Sequence, residues 1–534
     1  MKKRNRIYEA YETTPALAAR MKTNQYSKYE NPTGIYFEKG DVAIVNVVGM
    51  GEDKAVFKVE DFGPDKTGRK EYPLTNGMNV FPVKKGLAYI SYYTDNFANA
   101  PKLRVHVLSG KVNGVFDPYS QTNEDWQNLL AQAPCEMIDL QGKHVHLVYH
   151  VDGLKKYCPD DGVQLMKLYD QIIGYQFEIM GLFKYNKVPK NRMFGRNVWG
   201  GYMHADGTGA AFNSNVIRKV ARISDVRDVS WPISHEFGHV NQVRPGMKWV
   251  STTETTNNIF SVWANYKLSS TGYNVLEDEN KIDEDGQKVI GGRFNAYLDS
   301  ALIKKEQWLC QRGSEGFANY PNGSGDHFVK LYPFWQLMLY FKVAGRGNPD
   351  FYPDIFEIVR NTNDEGKKQG DFQLAFMKNA CDVTRQDLTE FFVTIGMLKP
   401  IDKMMKDYKS DQLTITQEEC DALIKYAKKY KKPESPVIYY LSSKSVDAYA
   451  KRLPVAGKWG AGISQNGNTF QVSHAVWKNV AAFETYEGDK LVKISKVGTG
   501  SKDNTFTQVK YPEGATRIEA VSWNGARTLV YGKR

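Results

Sequence analysis

Residues 230–246 read "SWPISHEFGHVNQVRPG", and the rest of the chain is read outward from them. Ser230 stands where a helix N-cap would, and Pro232 falls in the first turn, where its missing N–H does no harm. "RPG" at 244–246 stops the helix. His235 and His239 then share one helical face, one turn apart, so two imidazoles can converge on one tetrahedral ion. Glu236 is rotated by about 100° and cannot easily join that coordination, but it can reach a water held there. Two ligands plus a general base is the chemistry this spacing serves. The plainer reading is a helix that carries two core histidines, and a third ligand separates the two.

Two arrangements of that ligand are testable. An extension HExxHxxGxxH needs glycine at 242 and histidine at 245, where Gln242 and Pro245 stand, which removes it. A glutamate from the next helix remains, and "WVSTTETTNNIFSVWANYKL" (249–268) predicts a helix with Glu254 in its first turn. No other acid lies between Glu236 and Glu277. Glu254 also fits a capping box, "STTE", in which it would reach back to the backbone of Ser251. Asn258, one turn on, is spaced to hydrogen-bond a ligating histidine and fix its tautomer, or else faces solvent.

A chain of 534 residues exceeds one core and predicts several domains. Its apolar share of 41% and charged share of 25% are those of a globular protein rather than a disordered or fibrous one. The net charge of +11 comes from 71 Lys+Arg against 60 Asp+Glu, with the lysines scattered rather than gathered into a patch. A nucleic-acid partner is therefore not expected. Nothing approaches the ~20 apolar residues of a membrane span. The opening "MKKRNRIYEAYETTPALAAR" has no apolar core of a signal peptide. Five widely spaced cysteines, without a CxxC pair, predict buried free thiols.

The fold class that follows is multidomain α+β. "GIYFEKGDVAIVNVVG", "KAVFKVEDFG", "GLAYISYYTD" and "KLRVHVLSG" predict an N-terminal β-sandwich over 1–122. Residues 123–432 mix helices such as 161–182 and 327–345 with strands such as "KHVHLVYHV" (143–151), and form the expected catalytic domain, mostly helical with a small sheet. "KPESP" (432–436) reads as a linker. Residues 437–534 return to short strands with Asn-Gly and Glu-Gly turns, a C-terminal β-sandwich module.

"HEFGHVNQ", a downstream tryptophan and "ETTNN" together resemble the enhancin-like zinc metallopeptidases, a gluzincin family that includes bacterial mucin-degrading O-glycopeptidases. His235, Glu236, Gly238, His239, Gln242 and Glu254 match its pattern HExGHxxQ with a downstream glutamate. "NPTGIYFEKGD" (31–41), "WGGYMHADG" (199–207) and "DHFVKLYPFWQL" (326–337) also resemble family segments, so the likeness spans roughly 30–430. It implies a zincin-type catalytic domain behind a β-sandwich and one Zn²⁺ on His235, His239 and Glu254, with Glu236 as general base. It also implies a mucin-type glycoprotein substrate, and export to the cell surface or medium after loss of a signal. A monomer is expected.

Other residues carry weaker expectations. Trp199 and Tyr202, in the glycine-rich "WGGYMHADGTG", are candidates for substrate contact along an edge strand. Tyr320, His327 and Tyr332 are candidate donors to a tetrahedral oxyanion, against a plainer role in aromatic packing. His144, His146 and His150 share one strand face and read as half-exposed rather than metal-binding. "KIDEDGQKVIGG" (281–292) lacks the acids a calcium loop needs at its ends. An aminopeptidase would share the ligand set but needs a GxMEN-type segment, which is absent. A glycan-binding protein with a decayed peptidase domain would be expected to have lost a ligand, and His235, Glu236, His239 and Glu254 are all present.

Overall fold

A computed structural model of the chain describes residues 4–65, 68–272, 274–277, 291–305 and 327–533. It divides into two compact units, 1–242 with 263–273, and 243–262 with 274–534.

In the first unit, period-two alternation builds the N-terminal sandwich. Along Val42–Val48, Ala43, Val45 and Val47 are buried while their neighbours are not. The strand lies in a four-stranded antiparallel sheet ordered Asn5–Tyr8, Leu103–Val107, Val42–Val48, Gly77–Pro82. A five-stranded sheet holds Arg69–Pro73, Val56–Glu60, Gly86–Ser91, Pro32–Phe37 and Lys111–Val112. Ile35, Phe37, Val45, Val47, Phe57, Ile90 and Val105 close one core between the two sheets.

A mixed six-stranded sheet follows, ordered Val115–Phe116, Met137–Gln141, Val145–His150, Met193–Val198, Gly209–Asn213, Met203–Asp206. Thr122 caps helix Asn123–Gln132 through a capping box with Asp125, and Asp161 caps Gly162–Ile179. The strand Val145–His150 departs from the half-exposed reading of its histidines. It is a central strand covered on both faces, so Val145 through Tyr149 are all buried. His146 is fully buried, and its Nε2 lies 2.8 Å from Asp139 Oδ1 on the neighbouring strand.

The second unit holds the helices Thr253–Thr256, Gly292–Leu298, His327–Met338, Phe351–Asn361, Gln369–Thr384, Thr389–Thr394 and Gln417–Ala427, and a hairpin of Ile401–Asp407 with Lys409–Ile415. Its last residues form a three-stranded sheet (Ile463–Asn466, Thr469–Ser473, Phe506–Lys510) and a four-stranded one (Lys490–Lys496, Ala482–Glu487, Arg517–Val521, Arg527–Gly532). Phe470, Val472, Trp477, Phe483, Val509, Ile518 and Val530 form their core. Sheet-rich N- and C-terminal regions thus flank a helical middle, as the strand patterns predict.

The segment 432–436 is no free tether. Ser435 is fully buried and its hydroxyl donates to the Trp523 carbonyl at 2.6 Å, while Glu434 receives Arg346 and Arg452. Polar composition signals a linker only when nothing takes up the polar groups, and here each has a partner. Cys135, Cys158, Cys381 and Cys420 are free and buried, as expected. Among the described residues no helix is long and apolar enough to cross a membrane.

Candidate metal centre

The helix Trp231–Asn241 forms where the sequence puts it, with Pro232 in its first turn and Gln242 as its C-cap. Ser230 takes the N-cap position without capping. Its φ of −69° and ψ of −7° are helical rather than extended, so its hydroxyl does not reach the N–H groups of the first turn.

The rest of the helix is locked to the first unit by its inner face. Phe237 sits over Gly195 of the sheet, where an added Cβ would stand 3.0 Å from Phe237 Cζ and 2.8 Å from Leu147 Cδ2. Buried Gln176 donates to the Ser234 carbonyl at 2.9 Å and accepts from the Asn241 amide at 2.8 Å. Tyr26 donates to Asn241 Oδ1 at 2.5 Å. The helix packs against strands Met203–Asp206 and Gly209–Asn213.

That grip leaves His235 and His239 half-buried, with rings 4.6 Å apart and nearly perpendicular. Their Nε2 atoms face each other at 3.1 Å. Two nitrogens bound to one tetrahedral ion at about 2.0–2.1 Å would stand about 3.3 Å apart, so the pair fits a shared metal. Glu236 is 6% exposed.

Glu254 lies in the short helical turn Thr253–Thr256, and a second helix, Asn258–Leu268, begins after Asn257. The single helix expected over 249–268 is thus two. The N-cap of this turn is Thr252 rather than the Ser251 of the "STTE" reading. Ser251 has φ of +79°, a left-handed conformation unsuited to an N-cap, and Glu254 Oε1 accepts from the Tyr408 hydroxyl. Asn258 does not face solvent: it is buried, and its amide donates to the Glu254 carbonyl at 2.9 Å. His235, His239 and Glu254 each offer one ligand atom, and these lie within 4.8 Å of one another. Two nitrogens and one carboxylate oxygen make the donor set of a three-ligand catalytic zinc site, with one position left for water or substrate.

The remaining candidates separate. Met203–Asp206 is an edge strand of the sheet, and Gly200 and Gly207 beside it have open space where a side chain would go. Tyr202 is exposed, its hydroxyl receiving Lys219 Nζ at 2.8 Å. Trp199 is partly buried against the cluster of Tyr29, Phe62 and Phe194, with its ring 5.9 Å from that of His150. Helix His327–Met338 packs against the Glu254 turn, and His327 is buried at its start. Tyr332 is a core residue. It is fully buried, stacks on Tyr297 at 5.6 Å, and its hydroxyl donates to the Leu276 carbonyl. The oxyanion expectation fails there because the donor is already committed. Tyr320 and residues 281–290 of the acidic loop lie outside the described residues.

Sequence reasoning missed Asp407 and Tyr408, at the tip of the hairpin 401–415. Asp407 Oδ2 accepts from the N–H of Thr253 at 3.0 Å, and the Tyr408 hydroxyl donates to Glu254 Oε1 at 2.5 Å. The tip carries no Gly or Asn-Gly signal that would have marked it.

The family model of peptidase M60, enhancin and enhancin-like, matches residues 114–396, more than half of the chain. The chain belongs to this family. M60 members are metallopeptidases, and the enhancin-like resemblance carried by "HEFGHVNQ" is borne out. Among solved structures, a metallopeptidase in complex with Tn antigen is 24% identical with a TM-score of 0.76, over 99% of each chain. A metallopeptidase from Bacteroides thetaiotaomicron is likewise 24% identical at 0.76, over 99% of this M60 chain and 90% of that one. The M60 catalytic domain of Clostridium perfringens ZmpC, in complex with the sialyl T antigen, is 16% identical at 0.69, over 98% of this chain and all of that one. At such identities these structures establish a common fold. No curated protein matches the chain.

Proposed function

We propose that this M60 metallopeptidase is an exported zinc endopeptidase that cleaves glycoproteins bearing mucin-type O-glycans. The observation that carries the reading is the approach of His235, His239 and Glu254 within 4.8 Å, the two histidines on a helix that also bears Glu236 and the glutamate on the turn Thr253–Thr256. His235, His239 and Glu254 would hold one Zn²⁺, which when bound polarises the scissile carbonyl and lowers the pKa of water to about 7. Glu236 takes the proton of the attacking water and delivers it to the leaving amine. Asn258 ties the start of the following helix to the Glu254 carbonyl, which steadies the turn that presents the carboxylate. Substrate would lie along the edge strand Met203–Asp206, with exposed Tyr202 in reach of it.

The glycan part of the reading draws support from two relatives whose structures hold the Tn and sialyl T antigens. The test is cleavage of a mucin-type O-glycoprotein and of its deglycosylated form, each with and without chelator. Chelator-sensitive cuts within the glycosylated form alone are expected. Equal cutting of both forms removes the glycan requirement, and trimming from the N-terminus would replace the endopeptidase by an aminopeptidase.

A further inference from the structure

We infer that Tyr408 is the positioning residue of the third metal ligand. The inference rests on the metal reading above and adds to it a residue outside the HExxH pattern.

The stretch leading to Glu254 is held by the hairpin 401–415 at successive points. The Val250 N–H donates to Gln369 Oε1 at 2.8 Å, and Gln369 Nε2 in turn donates to Asp411 at 2.7 Å. The Thr253 N–H donates to Asp407 at 3.0 Å, and Tyr408 reaches the Glu254 carboxylate itself at 2.5 Å. A turn of four residues has little helical stability of its own, so these contacts, with the packing of helix His327–Met338, orient it.

Tyr408 is 72% exposed. Its φ is +63°, in a left-handed conformation that glycine adopts freely and a bulky side chain does not, at the single residue between the paired Asp407 and Lys409. A side chain kept there against backbone preference, with its hydroxyl on a ligating carboxylate, marks a functional constraint. The chemistry is specific. A neutral donor on Oε1 fixes rotation of the carboxylate about its last bond. It leaves the ligand's charge intact, as hydrogen bonds to metal-ligating carboxylates do.

The test is zinc affinity of the full chain, measured by competition with a chromophoric chelator, for the wild type, Tyr408→Phe and His235→Ala. Tyr408→Phe is expected to weaken zinc binding about 10–100-fold while the unfolding midpoint of the metal-free protein stays where it was. Its kcat is expected to recover in excess zinc. Wild-type affinity in Tyr408→Phe overturns the role of Tyr408 alone, and so does a loss of affinity accompanied by a lower metal-free midpoint. A wild type that binds no zinc, or binds it equally after His235→Ala, overturns the metal reading itself.

Discussion

The two elements that carry the proposed metal ligands are built in opposite ways. The histidine helix is set from behind. Phe237 rests over Gly195, and Gln176, Tyr26 and Asn241 form a hydrogen-bonded cluster with no exposed member. The glutamate turn packs against helix His327–Met338, but its carboxylate is held from outside, by a hairpin tip whose tyrosine is largely exposed. A buried polar network is rigid because every broken bond leaves an unsatisfied group, whereas an exposed contact can exchange with water. The histidine pair is therefore the fixed half of the centre, and the carboxylate is the adjustable one.

The largest effect expected is from removing the metal: chelation should abolish cleavage and added zinc restore it, whichever half is more rigid. Next, Glu236→Gln should lower kcat about 10²–10⁴-fold with zinc content unchanged, since the side chain serves proton transfer and not coordination. Zinc analysis beside a cleavage assay checks both. Gln176→Ala tests the rigid half directly. It removes a buried bond from the Ser234 carbonyl and another from the Asn241 amide, and should cost about 1–3 kcal/mol in a denaturant titration. Loss of zinc affinity without loss of stability in that variant would break the contrast with Tyr408→Phe.

The smallest effect is a pH dependence of the same scaffold. Burial holds the His144 imidazole below its ordinary pKa of 6.5, despite the opposing pull of Asp170, and its ring lies edge-on to Phe177 at 5.2 Å. The unfolded chain therefore takes up this proton before the folded one does. The contribution is complete above pH 6.5 and is lost as the pH falls below it. Replacing His144 by Phe should flatten the fall in unfolding midpoint through that window.

The same contrast explains what could be read in advance. The histidine helix announces itself because Pro232, the i and i+4 histidines and "RPG" are all local signals. The strands Val42–Val48 and Val56–Glu60 do so through β-rich runs between turn residues. Glu254 was legible as the sole acid between Glu236 and Glu277. Its support was not, because Tyr408 lies 154 residues further on, at a tip with no glycine to mark the turn. His146 misled for a related reason. A strand covered on both faces by other elements loses the alternation that exposure would impose, and only the fold brings Asp139 beside it.

The anchoring of Ser435 and Glu434 has a consequence for how such a chain can be cut and recombined. Beyond that segment, Gln336 of the helical region donates to the Tyr439 and Leu441 carbonyls, and Glu277 receives Ser443. Tyr440 and Arg527 both bond to Glu484 of the terminal sheet. A truncation or graft made at 432–436 would sever the ties of Gln336 and Glu277 to residues 439–443, while those between Tyr440, Arg527 and Glu484 would stay together on the later fragment. A cut there would expose buried polar partners of residues 439–443 on the helical side, so its place in a truncation series should matter to stability.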